Sequence, residues 1–187
     1  MTTVDDILKE GITEVIVTTV SKDGVPNAAP MGIVRKGNMY FIRMYSDTAT
    51  FRNVSDTGFL AANFISDPRV YVISAFQDLP PGYFRFEENR VPPRLKDAAG
   101  WIIFKCQVKD VVSLEPVSVK VARCTLPAFN RAFAAVIEAT IVGTRLRFYR
   151  GSEGIDKIRE CEALVRKCGS PEDIEAIKKL KQILEIF

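Results

Sequence analysis

The residues best suited to chemistry lie in one stretch, positions 38–63, NMYFIRMYSDTATFRNVSDTGFLAAN. Positions 39–44 form an apolar run with Tyr, Phe and Ile that suits a pleated surface. The run breaks at Tyr45, Ser46, Asp47 and Thr48, the last three of which favour turns and helix caps. Positions 49–56 can form about two helical turns, with Gly58 as the stop, and positions 59–65 resume a strand. Hydroxyls and backbone N–H groups at a helix start suit an anion, because the helix dipole and the unpaired donors both point there. The bend is therefore a candidate grip for the phosphate of a bound cofactor. The same residues also make an ordinary capped helix between two strands, and spacing does not separate the two readings.

A second stretch, Asn27-Ala28-Ala29-Pro30-Met31-Gly32, would let a planar ligand lie flat against the backbone, whose N–H and C=O groups could bond a heterocycle's edge. It equally suits a small-residue strand packed closely under a helix. A third feature is Glu138, the only charge between Ala132 and Thr144 on an apolar helical pattern. A carboxylate there is costly to bury unpaired, so a buried ion pair with Arg131 or Arg145 is expected in preference to a ligand contact.

Several chemistries are excluded. The chain has no histidine, so Ser–His–Asp and Cys–His machinery and His-ligated metal are absent. Its four cysteines, Cys106, Cys124, Cys161 and Cys168, form no C-x-x-C pair and read as reduced apolar residues, with Cys161 and Cys168 as buried neighbours on one helix; no metal site is expected. The net charge of +3, from 26 basic and 23 acidic residues without a basic tract, gives no ground for nucleic-acid binding. There is no apolar run long enough to span a membrane and the N-terminus lacks a signal-peptide core, which predicts a cytoplasmic protein.

These residues must be positioned by a mainly β chain. A short helix over 5–10 precedes a strand over 13–20. The Asp23-Gly24 hairpin signal leads to a strand over 26–35, and Lys36-Gly37-Asn38 turns into the strand at Met39. Pro26 and Pro30 cannot donate to a ladder, so part of the second strand is an edge or irregular. Further strands are expected over 70–76, over 102–114 with Phe104, Cys106 and Val108 on one face, and over 117–125 after Pro116. About seven antiparallel strands with one inserted helix favour a closed barrel. Between them, residues 77–99 carry four prolines and the aromatics Tyr83, Phe84 and Phe86, as in a lid, binding loop or dimer arm. From Pro127 the period turns helical, over 130–146, 152–168 and 171–187. The last two form a hairpin punctuated by Gly169, Ser170 and Pro171, with Glu162 as the misfit on an apolar face.

The run strand–Ser46-x-Thr48–helix–Asn53–strand–Asn63 resembles the FMN-binding split-barrel superfamily, which includes the pyridoxamine phosphate oxidase-like and flavin reductase-like proteins. The wording TTVSKDGVPNAAPMGI followed by YSDTATFRN is similar to an uncharacterised, mainly archaeal family within it. The barrel resemblance covers roughly residues 12–125. It implies an antiparallel split β-barrel domain over 1–126 and a C-terminal helical extension over 127–187. It further implies a homodimer with two FMN molecules in grooves at the subunit interface. The phosphate grip maps onto Ser46, Asp47, Thr48, Ala49 and Thr50, with Asn53 fixing the turn or the ribityl chain. The strand of Ala29, Pro30, Met31, Gly32 and Ile33 is where the superfamily's backbone meets the isoalloxazine ring. Oxidase-like relatives place a lysine in the phosphate turn; this chain has none between Lys36 and Lys96. Arg43, on the strand entering the turn, is the first choice for compensating charge, ahead of Arg52 or the partner subunit. The leading expectation is an FMN-dependent oxidoreductase or flavin reductase. A non-catalytic flavin carrier or sensor, a deazaflavin-dependent reductase and a structural dimer with an empty groove stand beside it.

Overall fold

In a computed structural model, which describes residues 3–87, 92–122 and 130–186, the chain falls into two compact units, Met1–Ser66 with Asp78–Cys124, and Asp67–Gln77 with Thr125–Phe187. The first is a barrel. After a one-turn helix α1 (Val4–Ile7) come β1 (Gly11–Val20), β2 (Pro26–Lys36), β3 (Met39–Ile42), α2 (Ala49–Thr57) and β4 (Phe59–Phe64). The small pair β5 (Phe84–Arg85) and β6 (Arg94–Leu95) precedes β7 (Gly100–Gln107) and β8 (Val112–Val121). Six strands close antiparallel in the order β1-β2-β3-β8-β7-β4, with β4 pairing back to β1.

Alternation fills the barrel interior: Val15 and Val17, Ile33, Leu60 and Ala62, and Ile102 and Phe104 all point to one core. Leu8, just after α1, is fully buried in the same core. Its segment is held by Arg35, whose Nη1 donates to the Leu8 carbonyl at 2.7 Å and whose Nη2 pairs with Asp5 at 3.1 Å. The Tyr40 hydroxyl donates to the same Asp5 carboxylate, and burial together with that contact pushes the phenol up to about 12.

Three strand expectations need correction. Residues 102–114 are not one strand but the β7–β8 hairpin, turning at residues 108–111 around Lys109 and Asp110. Pro116 does not end a strand; it sits within β8 at a bulge, where Phe104 pairs with Pro116 and Ile103 with Ser118, skipping Val117. A bulge spares the sheet the missing N–H. The predicted strand over 70–76 is a helix, α3 (Pro68–Phe76). Its β-branched composition is overridden by a start signal, Asp67 accepting from Arg69 N–H at 2.9 Å with Pro68 at the first helical position. The predicted strand over 117–125 lies within β8 as far as Val121; from 123 it falls outside the described residues.

The second unit packs α3 against α4 (Arg131–Thr144) and α6 (Pro171–Ile183), with α5 (Glu153–Cys168) lying against α4 and α6. Asn130 caps α4, and Ser170 with Asp173 forms a reciprocal capping box on α6. Glu138 is exposed on α4, so the expected buried ion pair there is absent. Two carboxylates of this unit are buried among the described residues: Asp173, in the α6 capping box, and Glu162, bonded by Arg166 at 2.7 Å and by Lys181 at 2.8 Å. The Lys181 bond, reinforced by Arg166, holds Glu162 below the usual carboxylate range. A depressed carboxyl contributes stability that is whole above its unfolded value near 4.5 and disappears as pH falls through the folded value. Glu162→Gln is therefore expected to lower stability at pH 7 by about 1 kcal/mol, with the gap to wild type closing below pH 4.5. Urea midpoints at pH 7 and in acid check this. Cys161 is half-buried and Cys168, the last residue of α5, is exposed rather than buried beside it. Cys106 is buried, which pushes its thiol up to about 12 and makes it inert. Cys124 and Phe187 lie outside the described residues.

Candidate notch beside the second strand

β2 is paired with β1 from Pro26 to Arg35, but with β3 only from Ile33 to Lys36. Residues 26–32 therefore present an open edge, where Pro26 and Pro30 do little harm. The chain leaves β3 at Ile42, opposite Ile33, and runs through residues 43–48 to α2. There Thr50, in the first turn, accepts a hydrogen bond from Asn27 Nδ2 at 3.0 Å. Residues 43–50 thus join the two ends of the unpaired β2 stretch, Ile33 and Asn27, and the side of β2 between those ends is the candidate notch.

The outer wall of the notch is the bend. Thr48 caps α2, its Oγ1 accepting from Phe51 N–H at 3.2 Å and donating to the Tyr45 carbonyl at 2.7 Å, while its own N–H bonds the same carbonyl at 3.1 Å. With its hydroxyl engaged on both sides, Thr48 shapes the bend. Tyr45, Ser46 and Asp47 are exposed and Thr48 and Ala49 half-buried, so the bend is not packed into its own core. Arg52 is tied to it, Nη1 donating to the Asp47 carbonyl at 2.9 Å. Arg43 is exposed just beyond β3. Phe51 and Arg52 N–H groups are used by Thr48, so Ala49 and Thr50 carry the helix-start donors that an α-helix cannot pair within itself.

The inner wall is β2. Ala29, Met31 and Ile33 lie opposite Val17, Val15 and Thr13 of β1 and share their inward face, while Pro30 and Gly32 point outward with Ile16 and Glu14. At Gly32 the space a side chain would fill is already taken: a Cβ would lie 2.8 Å from Ile12 Cγ2 and 3.1 Å from Glu14 Oε1. What β2 offers a ligand is thus its backbone edge. Asn53 is buried and donates from Nδ2 to Thr19 Oγ1 at 3.1 Å, which docks α2 on β1.

The described parts of the segment, residues 77–87 and 92–99, are anchored to the rest of the chain. Phe84 and Leu95 are buried, while Tyr83 and Phe86 are exposed, and Arg94 stacks 4.4 Å above the Trp101 ring. Asn63, fully buried on β4, accepts from Leu95 N–H at 2.8 Å and donates to the Ile16 carbonyl and Thr18 Oγ1, each at 3.0 Å. Thr18 in turn donates to the Pro93 carbonyl. Sequence reasoning missed this anchor, the Asn27–Thr50 bond and the tie of Arg52. A lone amide inside the apolar run FLAANF was the available signal, since a buried amide requires partners.

Elsewhere, a shallow depression of about 440 Å³ lies at the start of α5, lined by Arg150, Glu153, Asp156 and Lys157. Within it Lys157 pairs with Glu153 at 3.4 Å and Ser152 donates to Asp156 at 2.7 Å. Among the described residues no cluster of His, Cys, Asp and Glu could hold a metal ion, and no helix is long and apolar enough to cross a membrane.

Two family profiles match the chain: the N-terminal domain of a protein of unknown function (DUF447) over residues 13–125, and a second DUF447 profile over 130–182. Among solved structures, an FMN-bound protein of Methanosarcina mazei assigned to DUF447 is 34% identical, with a TM-score of 0.84 over 94% of this chain and 96% of that one. A flavin reductase domain protein of Arthrobacter sp. FB24 is 19% identical, with a TM-score of 0.52 over 61% of this chain and 80% of that one. A Pseudomonas fluorescens 2-nitrobenzoate 2-nitroreductase is 16% identical, with a TM-score of 0.51 over 62% and 66%. These last two share the fold alone: a split barrel of the flavin reductase type. With both profiles and the Methanosarcina protein aligned along nearly its whole length, this chain belongs to the DUF447 family.

Proposed function

We propose that this chain is an FMN-binding flavoprotein, acting as a flavin-dependent oxidoreductase or flavin reductase, and that the notch beside β2 holds the flavin. The observation that carries the reading is the open backbone edge at residues 26–32, its two ends joined by an exposed, helix-capped bend. The FMN-bound relative at 34% identity supports it. The residues present fit the group. Ser46 and the Ala49 and Thr50 N–H groups would take the phosphate, and Arg52, with Arg43, would supply the charge that no lysine provides. Asp47 contributes backbone, since its carboxylate carries the phosphate's own sign. The edge formed by Ala29, Pro30, Met31, Gly32 and Ile33 would face the ring, and Asn53 would hold the helix in place.

A bound flavin supplies the electron and hydride chemistry, so the chain need only hold and orient it. That agrees with a histidine-free sequence. The notch is open on its outer side, and we assign a second copy of the chain as its cover, giving a homodimer with flavin at the interface. Purified protein is expected to show flavin absorbance or to quench added FMN at micromolar concentrations; colourless protein without micromolar affinity overturns the reading. Anaerobic mixing of the loaded protein with NADH or NADPH then separates a reductase, which bleaches faster than free FMN, from a carrier, which does not.

A further inference from the structure

The chain leaves α4 through a basic turn, Arg-Leu-Arg-Phe-Tyr-Arg at 145–150. The backbone tightens into a 3-10 turn over Leu146–Phe148, with Phe148 N–H on the Arg145 carbonyl at 2.9 Å and Tyr149 N–H on the Leu146 carbonyl at 3.1 Å. In such a turn residues three apart share a face. Leu146 and Tyr149 are the inward pair. Both pack on the helical core, and a Cβ at Gly154 of α5 would lie 2.7 Å from Leu146 Cδ2 and 3.0 Å from Tyr149 Cδ2. That close contact braces the turn from behind. Arg145 and Phe148 share a second face, and Arg147 and Arg150 a third, and all four are exposed. At 72%, Phe148 is the most exposed large apolar side chain among the described residues.

Three guanidinium groups thus stand within this one turn, and among the described residues none has a carboxylate partner. The nearby acids are engaged elsewhere, Glu153 with Lys157 at 3.4 Å and Asp156 with Arg159 at 3.2 Å. The Arg147 guanidinium lies 4.8 Å from the centre of the Phe148 ring. One exposed phenylalanine is ordinary. An exposed phenylalanine among unanswered arginines, on a turn already held in shape, is the composition of a binding hot spot with little conformational freedom left to lose.

We propose that the turn over residues 145–150 docks an acidic segment of another protein, whose carboxylates meet the arginines and whose apolar side chain covers Phe148. The arginines select the sign of the partner, and their planar forks suit carboxylates. The neighbouring acids select its class. Glu153, Asp156 and Glu160 line the same depression as Arg150, so a continuous polyanion, such as a nucleic acid or an anionic bilayer, would press its charge against theirs. A protein segment can set acids on the turn and neutral or basic residues beside α5. This docking does not depend on FMN binding by the barrel.

The test is a titration of the full-length chain with three probes: a labelled Glu-rich peptide with one central Leu, a labelled oligodeoxythymidylate, and vesicles containing phosphatidylglycerol. The peptide is expected to bind at low salt and to weaken about tenfold as NaCl rises from about 0.05 to about 0.5 M. Arg147→Glu is expected to weaken it roughly tenfold and Phe148→Ala severalfold, and a peptide with Gln in place of Glu is expected not to bind. Arg131→Glu, the same charge change at the other end of α4, is expected to leave binding unchanged. Thermal melts of all three variants are expected to match wild type, because the side chains are exposed. No peptide binding at low salt up to about 1 mM, an equal loss from Arg131→Glu, or full affinity for the Gln peptide overturns the proposal. Tighter binding of the oligonucleotide or the vesicles than of the peptide, lost with Arg147→Glu, overturns it in favour of that partner.

Discussion

Asn63→Ala is expected to destabilise the barrel unit by about 4 kcal/mol. The side chain is fully buried and works in four directions. Nδ2 serves the Ile16 carbonyl, Thr18 Oγ1 and the Ala61 carbonyl at 3.0, 3.0 and 3.2 Å, and Oδ1 takes the Leu95 N–H at 2.8 Å. Alanine removes all of these and leaves the Leu95 N–H buried without a partner, at about 1–3 kcal/mol for each stranded group. Water cannot easily repair the loss, because Leu95 is 2% exposed and Ile16 fully buried. A drop in the urea midpoint with an unchanged slope checks the size, and limited proteolysis within residues 77–99 checks the place. A loss below about 1 kcal/mol would mean that the loop is held by its apolar residues alone.

Replacing Ser46 and Thr48 together by alanine is expected to weaken FMN binding by about 1–3 kcal/mol, or roughly 5- to 150-fold. The two residues contribute differently. Ser46 is exposed on the bend and offers its hydroxyl directly. Thr48 is occupied with Tyr45 and Phe51, so its removal loosens the cap and lets the N–H groups of Ala49 and Thr50 drift from a shared focus. The same change costs about 1 kcal/mol of helix stability, which a thermal melt without ligand measures separately. Unchanged FMN affinity would place the phosphate elsewhere.

How much of this was legible beforehand depends on how local each signal is. The bend, its Thr48 cap and the Gly58 stop are written in consecutive residues, and the structure places the cap at Thr48 and a left-handed Gly58 at the end of α2. The α5–α6 hairpin is equally local, with Ser170, Asp173 and Pro171 doing the capping. Two prolines in β2 announced an unpaired edge, and the β3 pairing begins only at Ile33. The misses are non-local. VYVISAF is strand-like in isolation, yet Asp67 and Pro68 start a helix that buries Val72 against other helices. Glu138 was judged by its apolar neighbours in sequence, but only the face it occupies decides exposure, and that face is outward. The tie of Arg52 is non-local in the same way: it lies five residues beyond Asp47, and only the turn of the helix brings its Nη1 back to the Asp47 carbonyl. Asn63, Thr18 and Leu95 are separated by tens of residues, and no periodicity connects them.

The excursion of the chain into α3 has a consequence for how this molecule can be divided. After β4 the polypeptide donates nine residues to the helical bundle, then returns to complete the sheet with β7 and β8. Truncation near residue 125, where the two family profiles part, would abandon α3 without α4 and α6 and leave Val72 stripped of its cover. A single cut there keeps every barrel strand but cannot free the barrel of α3, so a barrel separated from the bundle carries an apolar helix that has lost its cover.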